Sequence, residues 1–176
     1  MIQTMACGSC ANENAYKAIF IWRNKLNRNG KPPTAQELSD CVMNKGTGCP
    51  DLSILSFKGA FHGRTLGCLA TTHSKPIHKL DIPSFDWPIA NFPRYKYPLE
   101  ENVDYNKKQD DDCLKNVQEL ISYYNEEKKR TVAGIVVEPV QSEGGDHHGS
   151  AYFFQNLQKI AKKVRIFSII ISKLLK

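Results

Sequence analysis

A chain of 176 residues with 41% hydrophobic and 24% charged side chains carries enough apolar material for one domain with a real core, which excludes a disordered chain. The formal net charge of +6 would suit a nucleic-acid binder. The cations are interspersed with acids, however, as in Glu126-Glu127-Lys128-Lys129-Arg130, and no basic stripe alternates with aromatics, so no nucleic-acid partner is expected. The longest apolar run, Val164 to Ile171, is broken by Arg165 and Ser168 and suits a strand better than a membrane helix, so no membrane partner is expected either. The six cysteines are too irregularly spaced for a disulfide framework, which favours a reducing compartment. Met1 to Thr4 reads neither as an Arg-rich transit peptide nor as a signal sequence.

From the N-terminus, Ser9 to about Asn27 reads as a helix. Ser9 can cap it, Ala11, Ala15, Ala18, Ile19, Trp22 and Leu26 recur on one face, and Asn29-Gly30 ends it. A helix start exposes backbone N–H groups and the positive end of the macrodipole, so Gly8-Ser9 can cradle a phosphate or, more plainly, cap a helix. Cys7 and Cys10 bracket that start. As a thioredoxin-like pair they lack a preceding aromatic, and as zinc ligands they lack a second close pair; inert thiols are the plain alternative. Thr34-Ala35-Gln36-Glu37 is a capping box opening a short surface helix striped by Leu38, Cys41 and Val42. Leu52 to Phe57 is a short strand between turn residues.

At the carboxyl end of that strand stands Gly59-Ala60-Phe61-His62-Gly63-Arg64-Thr65. An aromatic face, an imidazole, a glycine and a guanidinium within four residues suit a flat, anionic ligand, and the strand end is where open α/β sheets bind ligands. The bland alternative puts Phe61 in the core, His62 as a hydrogen-bonded filler and Arg64 in a surface pair. Five of the nine prolines fall between His73 and Pro98 and predict an irregular connection, in which His73 and His78 have no partner at ligand spacing. Asp110 to Lys129 predicts a helix with Cys113, Val117, Leu120, Ile121 and Tyr124 on its buried face. Thr131 to Val137 predicts a central parallel strand running into Glu138 and the loop Gln141 to Gly145. His147 and His148 look incidental. Tyr152 to Lys163 predicts a last helix.

Three blocks carry a resemblance: Cys7-Gly8-Ser9-Cys10-Ala11-Asn12-Glu13-Asn14, Gly59 to Thr65, and Val137-Glu138-Pro139-Val140-Gln141-Ser142-Glu143-Gly144-Gly145-Asp146. Together they resemble the class III, fold-type-I aminotransferases that depend on pyridoxal 5'-phosphate, over roughly Met5 to Lys163. The resemblance implies an α/β fold, part of a three-layer sandwich with a mostly parallel sheet, corresponding to a portion of the large cofactor domain. It implies amino transfer between 4-aminobutyrate and 2-oxoglutarate, with ornithine- or β-alanine-type ω-aminotransferases as the nearest alternatives. It puts Gly8 and Ser9 on the cofactor phosphate, Phe61 and His62 about its ring, and Arg64 on the substrate carboxylate. Glu143 would pair with an arginine when the substrate lacks an α-carboxylate. Cys7 and Cys10 would ligate a [2Fe–2S] cluster shared across a homodimer. The implied partners are small amino acids and 2-oxo acids, and the implied compartment is the mitochondrial matrix.

After Lys163 the resemblance stops. The family pattern calls for a strand ending in Asp-Glu and, further on, the Schiff-base lysine, whereas Val164 to Lys176 contains no aspartate, and Lys173 sits in no matching segment. The expectation is a partial large domain over residues 1–163 with a non-matching tail over 164–176, inactive by itself. Two rival expectations are a non-catalytic cofactor- or iron–sulfur-binding remnant and a thiol oxidoreductase built on Cys7 and Cys10.

Overall fold

The computed structural model describes residues 2–170, with the side chains of 167–170 left aside. Ile171 to Lys176, including Lys173, lie outside the described residues. The helices are α1 (Gly8–Asn27), α2 (Ala35–Val42), α3 (Leu66–Thr71), α4 (Val103–Ser122) and α5 (Ala151–Lys163); the strands are β1 (Leu52–Phe57), β2 (Ile89–Ala90), β3 (Thr131–Val137), β4 (Val140–Gln141), β5 (His147–His148) and β6 (Phe167–Ile170).

Four strands form a parallel sheet in the order β2-β1-β3-β6. All six residues of β1 are buried, as are six of the seven in β3, because helices cover both faces. On one face Leu55, Phe57, Ile135 and Val137 pack against Cys113, Val117 and Ile121 of α4 and Phe153 and Leu157 of α5. On the other, Ile54, Ala133 and Val136 meet Tyr16 and Ile19 of α1 and Cys68 and Ala70 of α3. The expected three-layer α/β arrangement is therefore present.

Three elements depart from expectation. In α1 the cap is Cys7, whose sulfur accepts the Cys10 N–H at 3.4 Å, and not Ser9. The buried face of α1 carries Tyr16 and Ile19, whereas Ala11, Ala18 and Leu26 are exposed. Alanines add little apolar area, so the rotation that buries an aromatic ring wins. In α4 the helix starts at Val103, earlier than Asp110, and its last turn widens into a π-turn over Tyr123–Glu127. Its first turns dock through a polar residue: the buried Asn106 amide accepts from the Lys96 N–H at 2.8 Å and donates to the Lys96 carbonyl at 3.0 Å. An apolar periodicity cannot register such a contact. Lastly, the loop after β3 closes into a small antiparallel hairpin between β4 and β5, so His147 and His148 have a structural place.

The capping box of α2 is fully formed, with Thr34 Oγ1 on the Glu37 N–H and Glu37 on the Thr34 N–H, and its stripe residues Leu38 and Val42 stay exposed. The His73 to Pro98 connection is irregular apart from one 3-10 turn and the two-residue β2, and is packed by its own aromatics, with Phe85 stacked on Trp87 at 5.0 Å. Among the described residues no helix is long and apolar enough to cross a membrane.

Candidate active site

The parallel sheet presents the carboxyl ends of β1 and β3 on one edge, and the predicted site residues gather there. β1 ends at Phe57, the chain turns at Gly59 with φ +83°, and the loop Phe61-His62-Gly63-Arg64 leads into α3. Glu138, at the end of β3 and 1% exposed, accepts the Phe61 N–H at 2.9 Å. His62 donates its N–H to Thr72 Oγ1 at 3.0 Å, and that hydroxyl donates to the Gly63 carbonyl at 2.8 Å. The loop is thus held by its backbone, which leaves its side chains for other duties.

The N-terminal turn of α1 lies directly against this loop. Asn12 Nδ2 donates to the His62 carbonyl at 2.7 Å, and the Cys68 thiol reaches the Ser9 carbonyl at 3.4 Å. At Gly63, with φ +122°, a Cβ would strike the Ser9 side chain and lie 3.0 Å from its Cα. Only glycine lets the two segments approach this closely. A Cβ at Gly8, in contrast, would meet nothing within 4 Å, so the backbone at the helix start faces open space. The amides of Gly8 and Ser9 belong to the first turn, whose N–H groups have no partner within the helix, and they carry the positive end of its dipole. An anionic group such as a phosphate fits that cradle.

The two rings of the loop part company. Phe61 is half-buried and meets the His78 ring edge-to-face, with centroids 5.0 Å apart. His62 is 2% exposed and turned inward, with neither ring nitrogen hydrogen-bonded. The expectation puts it about the cofactor ring; in the structure the imidazole is buried. Burial, with a lesser contribution from His73, pushes its pKa down to about 3. His73 itself is pushed down to about 4 by burial and by the Lys79 charge, and its Nε2 meets Ser56 Oγ at 2.9 Å. Both imidazoles are neutral at physiological pH.

Arg64 is exposed. Glu143 forms an ion pair with Lys75 at 2.9 Å, and Gly144 lies close under the Gly59 backbone. Cys7 and Cys10 hold their sulfurs 3.4 Å apart. Hydrogen bonds from Cys10 lower the Cys7 pKa, while the Cys7 side chain raises that of Cys10. Among the described residues no group of three or more potential metal ligands converges.

Sequence reasoning missed the supports from Asn12 and Glu13 under the loop and from His78 against the Phe61 ring; Glu138 stands out as a strand-end carboxylate, but its bond to the Phe61 N–H does not. Asn12 and Glu13 fall three and four residues after Ser9, one turn along the same helix, and that spacing was the available signal.

The helix N-terminus meets the aromatic-His-Gly-Arg loop at the carboxyl edge of a parallel sheet, and the chain belongs to the class III aminotransferases, since the family model, Aminotransferase class-III, matches residues 1–170. It is 62% identical over 160 residues to "4-aminobutyrate aminotransferase, mitochondrial" from Rattus norvegicus, covering 91% of this chain and 32% of the relative. The Homo sapiens protein of the same name is also 62% identical over the same shares, and "Probable 4-aminobutyrate aminotransferase, mitochondrial" from Caenorhabditis elegans is 54% identical over 96% of this chain and 35% of its own length. The chain spans about a third of the length of these relatives. Among solved structures, a lysine aminotransferase from M. tuberculosis matches with a TM-score of 0.70 at 26% identity, over 94% of this chain and 34% of that one.

Proposed function

We propose that this chain supplies the cofactor-phosphate and substrate-carboxylate elements of a transaminase that moves the amino group of 4-aminobutyrate to 2-oxoglutarate. The observation that carries the reading is the contact between the α1 N-terminus and the Phe61-to-Arg64 loop, in a chain 62% identical to proteins named for that reaction. Pyridoxal phosphate belongs to the family's chemistry; when bound it supplies an electron sink that makes a proton on the amino-bearing carbon removable. The open backbone at Gly8 and the positive end of the α1 dipole fit its phosphate.

The chain's own residues then have separable tasks. Gly8 and Ser9 would hold the cofactor phosphate, and Phe61 would face its ring. Neutral His62 fills the space under the loop without bringing a competing charge. Arg64 pairs with the substrate carboxylate through a bidentate fork, which a lysine would imitate poorly. Glu143 pairs with an arginine, supplied from outside this chain, when the substrate lacks an α-carboxylate; in the structure it is paired with Lys75 at 2.9 Å. No residue of these 176 is assigned as the lysine that moves the proton.

The same reading extends to assembly. Cys7 and Cys10, with sulfurs 3.4 Å apart near the surface, provide two of the four thiolates of a [2Fe–2S] cluster, and a second copy of the chain provides the others, in a homodimer of the mitochondrial matrix. Cluster absorbance lost in a Cys7→Ala, Cys10→Ala variant supports this assignment; absorbance that survives removes it. The substrate claim is tested by offering the full-length gene product 4-aminobutyrate, ornithine and β-alanine in turn with 2-oxoglutarate. Preference for 4-aminobutyrate supports it, and no turnover of that amine overturns it.

A further inference from the structure

The phosphate cradle and the substrate arginine come from segments about fifty residues apart in sequence, and one side chain ties them together. Glu13, on the second turn of α1, accepts a short hydrogen bond from Thr65 Oγ1, one from the Gly67 N–H at 3.2 Å and one from the Cys68 N–H at 3.1 Å. These groups form the entry to α3, immediately after Arg64. α3 has no side-chain cap of its own, since Thr65 makes no capping bond. Its exposed amides are satisfied by a carboxylate reaching across from the neighbouring helix. The fit is tight: a Cβ on Gly67 would stand 2.5 Å from Glu13 Oε1. Burial works to raise the Glu13 pKa, but the bonds from Thr65, Cys68 and Gly67 outweigh it and hold the carboxyl below its usual value.

Neighbouring contacts show what the clasp adds. Asn12 fixes the backbone at His62, and Thr72 fixes it at His62 and Gly63. Nothing among these holds Arg64 itself, which is exposed between Gly63 and Thr65. Glu13 pins the chain on the far side of Arg64, so the arginine spans two anchored points, both referred to α1. The distance between a phosphate at the α1 N-terminus and a carboxylate on Arg64 is thereby set by a single helix.

We infer that Glu13 is a positioning residue that fixes Arg64 relative to the cofactor-phosphate cradle, and so sets how tightly the enzyme holds its substrate's carboxylate. This rests on the transaminase reading only for the identity of that carboxylate. Loosening the clasp weakens carboxylate binding while the cradle, built from α1 backbone, keeps its affinity for the cofactor. A role in stability alone would instead lower cofactor affinity and thermal stability and leave the KM of the surviving folded enzyme unchanged.

The test uses the full-length gene product with Glu13→Gln and Glu13→Ala, each loaded with pyridoxal phosphate. Three quantities are read: the cofactor dissociation constant by fluorescence titration, the KM and kcat for 4-aminobutyrate, and the inhibition or binding constant of butyrate, which has the carboxylate and lacks the amine. For Glu13→Ala, KM and the butyrate constant rise about tenfold or more, with cofactor affinity within threefold of wild type. Glu13→Gln, which keeps one acceptor, falls between. Unchanged butyrate binding overturns the inference, as does a parallel loss of cofactor affinity and carboxylate binding. A wild-type protein that binds butyrate but does not turn over 4-aminobutyrate contradicts the substrate assignment and leaves the clasp to be judged by butyrate binding.

Discussion

Replacing Gly63 by alanine tests the closest approach in the site. The residue has φ +122°, a conformation that costs a side-chain-bearing residue about 1–3 kcal/mol. The added Cβ would also press on Ser9, where overpacking adds about 1–3 kcal/mol. The loop cannot retreat freely, because Asn12 and Thr72 hold its backbone on either side of the clash. Part of the cost therefore falls on the α1 N-terminus, which must move away from the loop. We expect a loss of about 2 kcal/mol or more, divided between a lower denaturation midpoint and weaker cofactor binding. Taken wholly in binding, about 2 kcal/mol is a roughly thirtyfold rise in dissociation constant. Fluorescence titration of the apo-protein with pyridoxal phosphate, run beside urea unfolding, reads both. Adding Ser9→Gly removes the atoms struck by the Cβ, so the double variant recovers most of the steric loss in stability and none of the backbone strain. A Gly63→Ala protein with wild-type stability and wild-type affinity would refute the close approach.

Further outcomes follow from the same geometry. Phe61→Ala removes the half-buried ring and its edge contact with His78; loss of about 1 kcal/mol of cofactor affinity is expected, read by the same titration, with little change in the unfolding midpoint. Arg64→Lys keeps the charge and loses the fork, so the KM for 4-aminobutyrate rises while cofactor affinity stays within threefold. Acid should weaken the fold through His62 and His73. Their folded pKa values, about 3 and about 4, lie below the ordinary 6.5, so the unfolded chain takes up protons first; stability is full above about pH 6.5 and falls toward pH 4 and below. In that window each imidazole contributes at most about 1.4 kcal/mol per pH unit. His62→Leu should flatten the fall in urea-unfolding profiles, and an unchanged slope would argue against a buried neutral ring.

How far the sequence anticipates this site depends on whether a residue acts through its side chain's chemistry or through its backbone. β3 is legible as a nearly continuous apolar run and β1 as a short apolar stretch between turn residues, although β1 also buries Ser53 and Ser56. Gly8, Ser9, Phe61 and Arg64 are proposed from residue type and local order, and the structure brings their segments together through Asn12 on the His62 carbonyl and the close approach of Gly63 to Ser9. His62 has a side chain that suggests a ligand contact, while the structure shows a buried ring and a backbone bonded to Asn12 and Thr72, features that residue type alone does not report. The start of α4 was missed because it docks through Asn106 and not through an apolar stripe. The brace of Glu13 on Thr65, Gly67 and Cys68 joins residues more than fifty apart; the helical spacing from Ser9 marks the face of α1 on which Glu13 sits and not the partners it meets.

The most direct measurement is steady-state amino transfer by the full-length gene product, with pyridoxal phosphate, 4-aminobutyrate and 2-oxoglutarate, comparing wild type with Arg64→Ala by glutamate formed. The account predicts glutamate from the wild type, and a KM for 4-aminobutyrate about a hundredfold higher in the variant, at nearly unchanged cofactor affinity. No glutamate from the wild type, or an Arg64→Ala protein with wild-type KM, would contradict it.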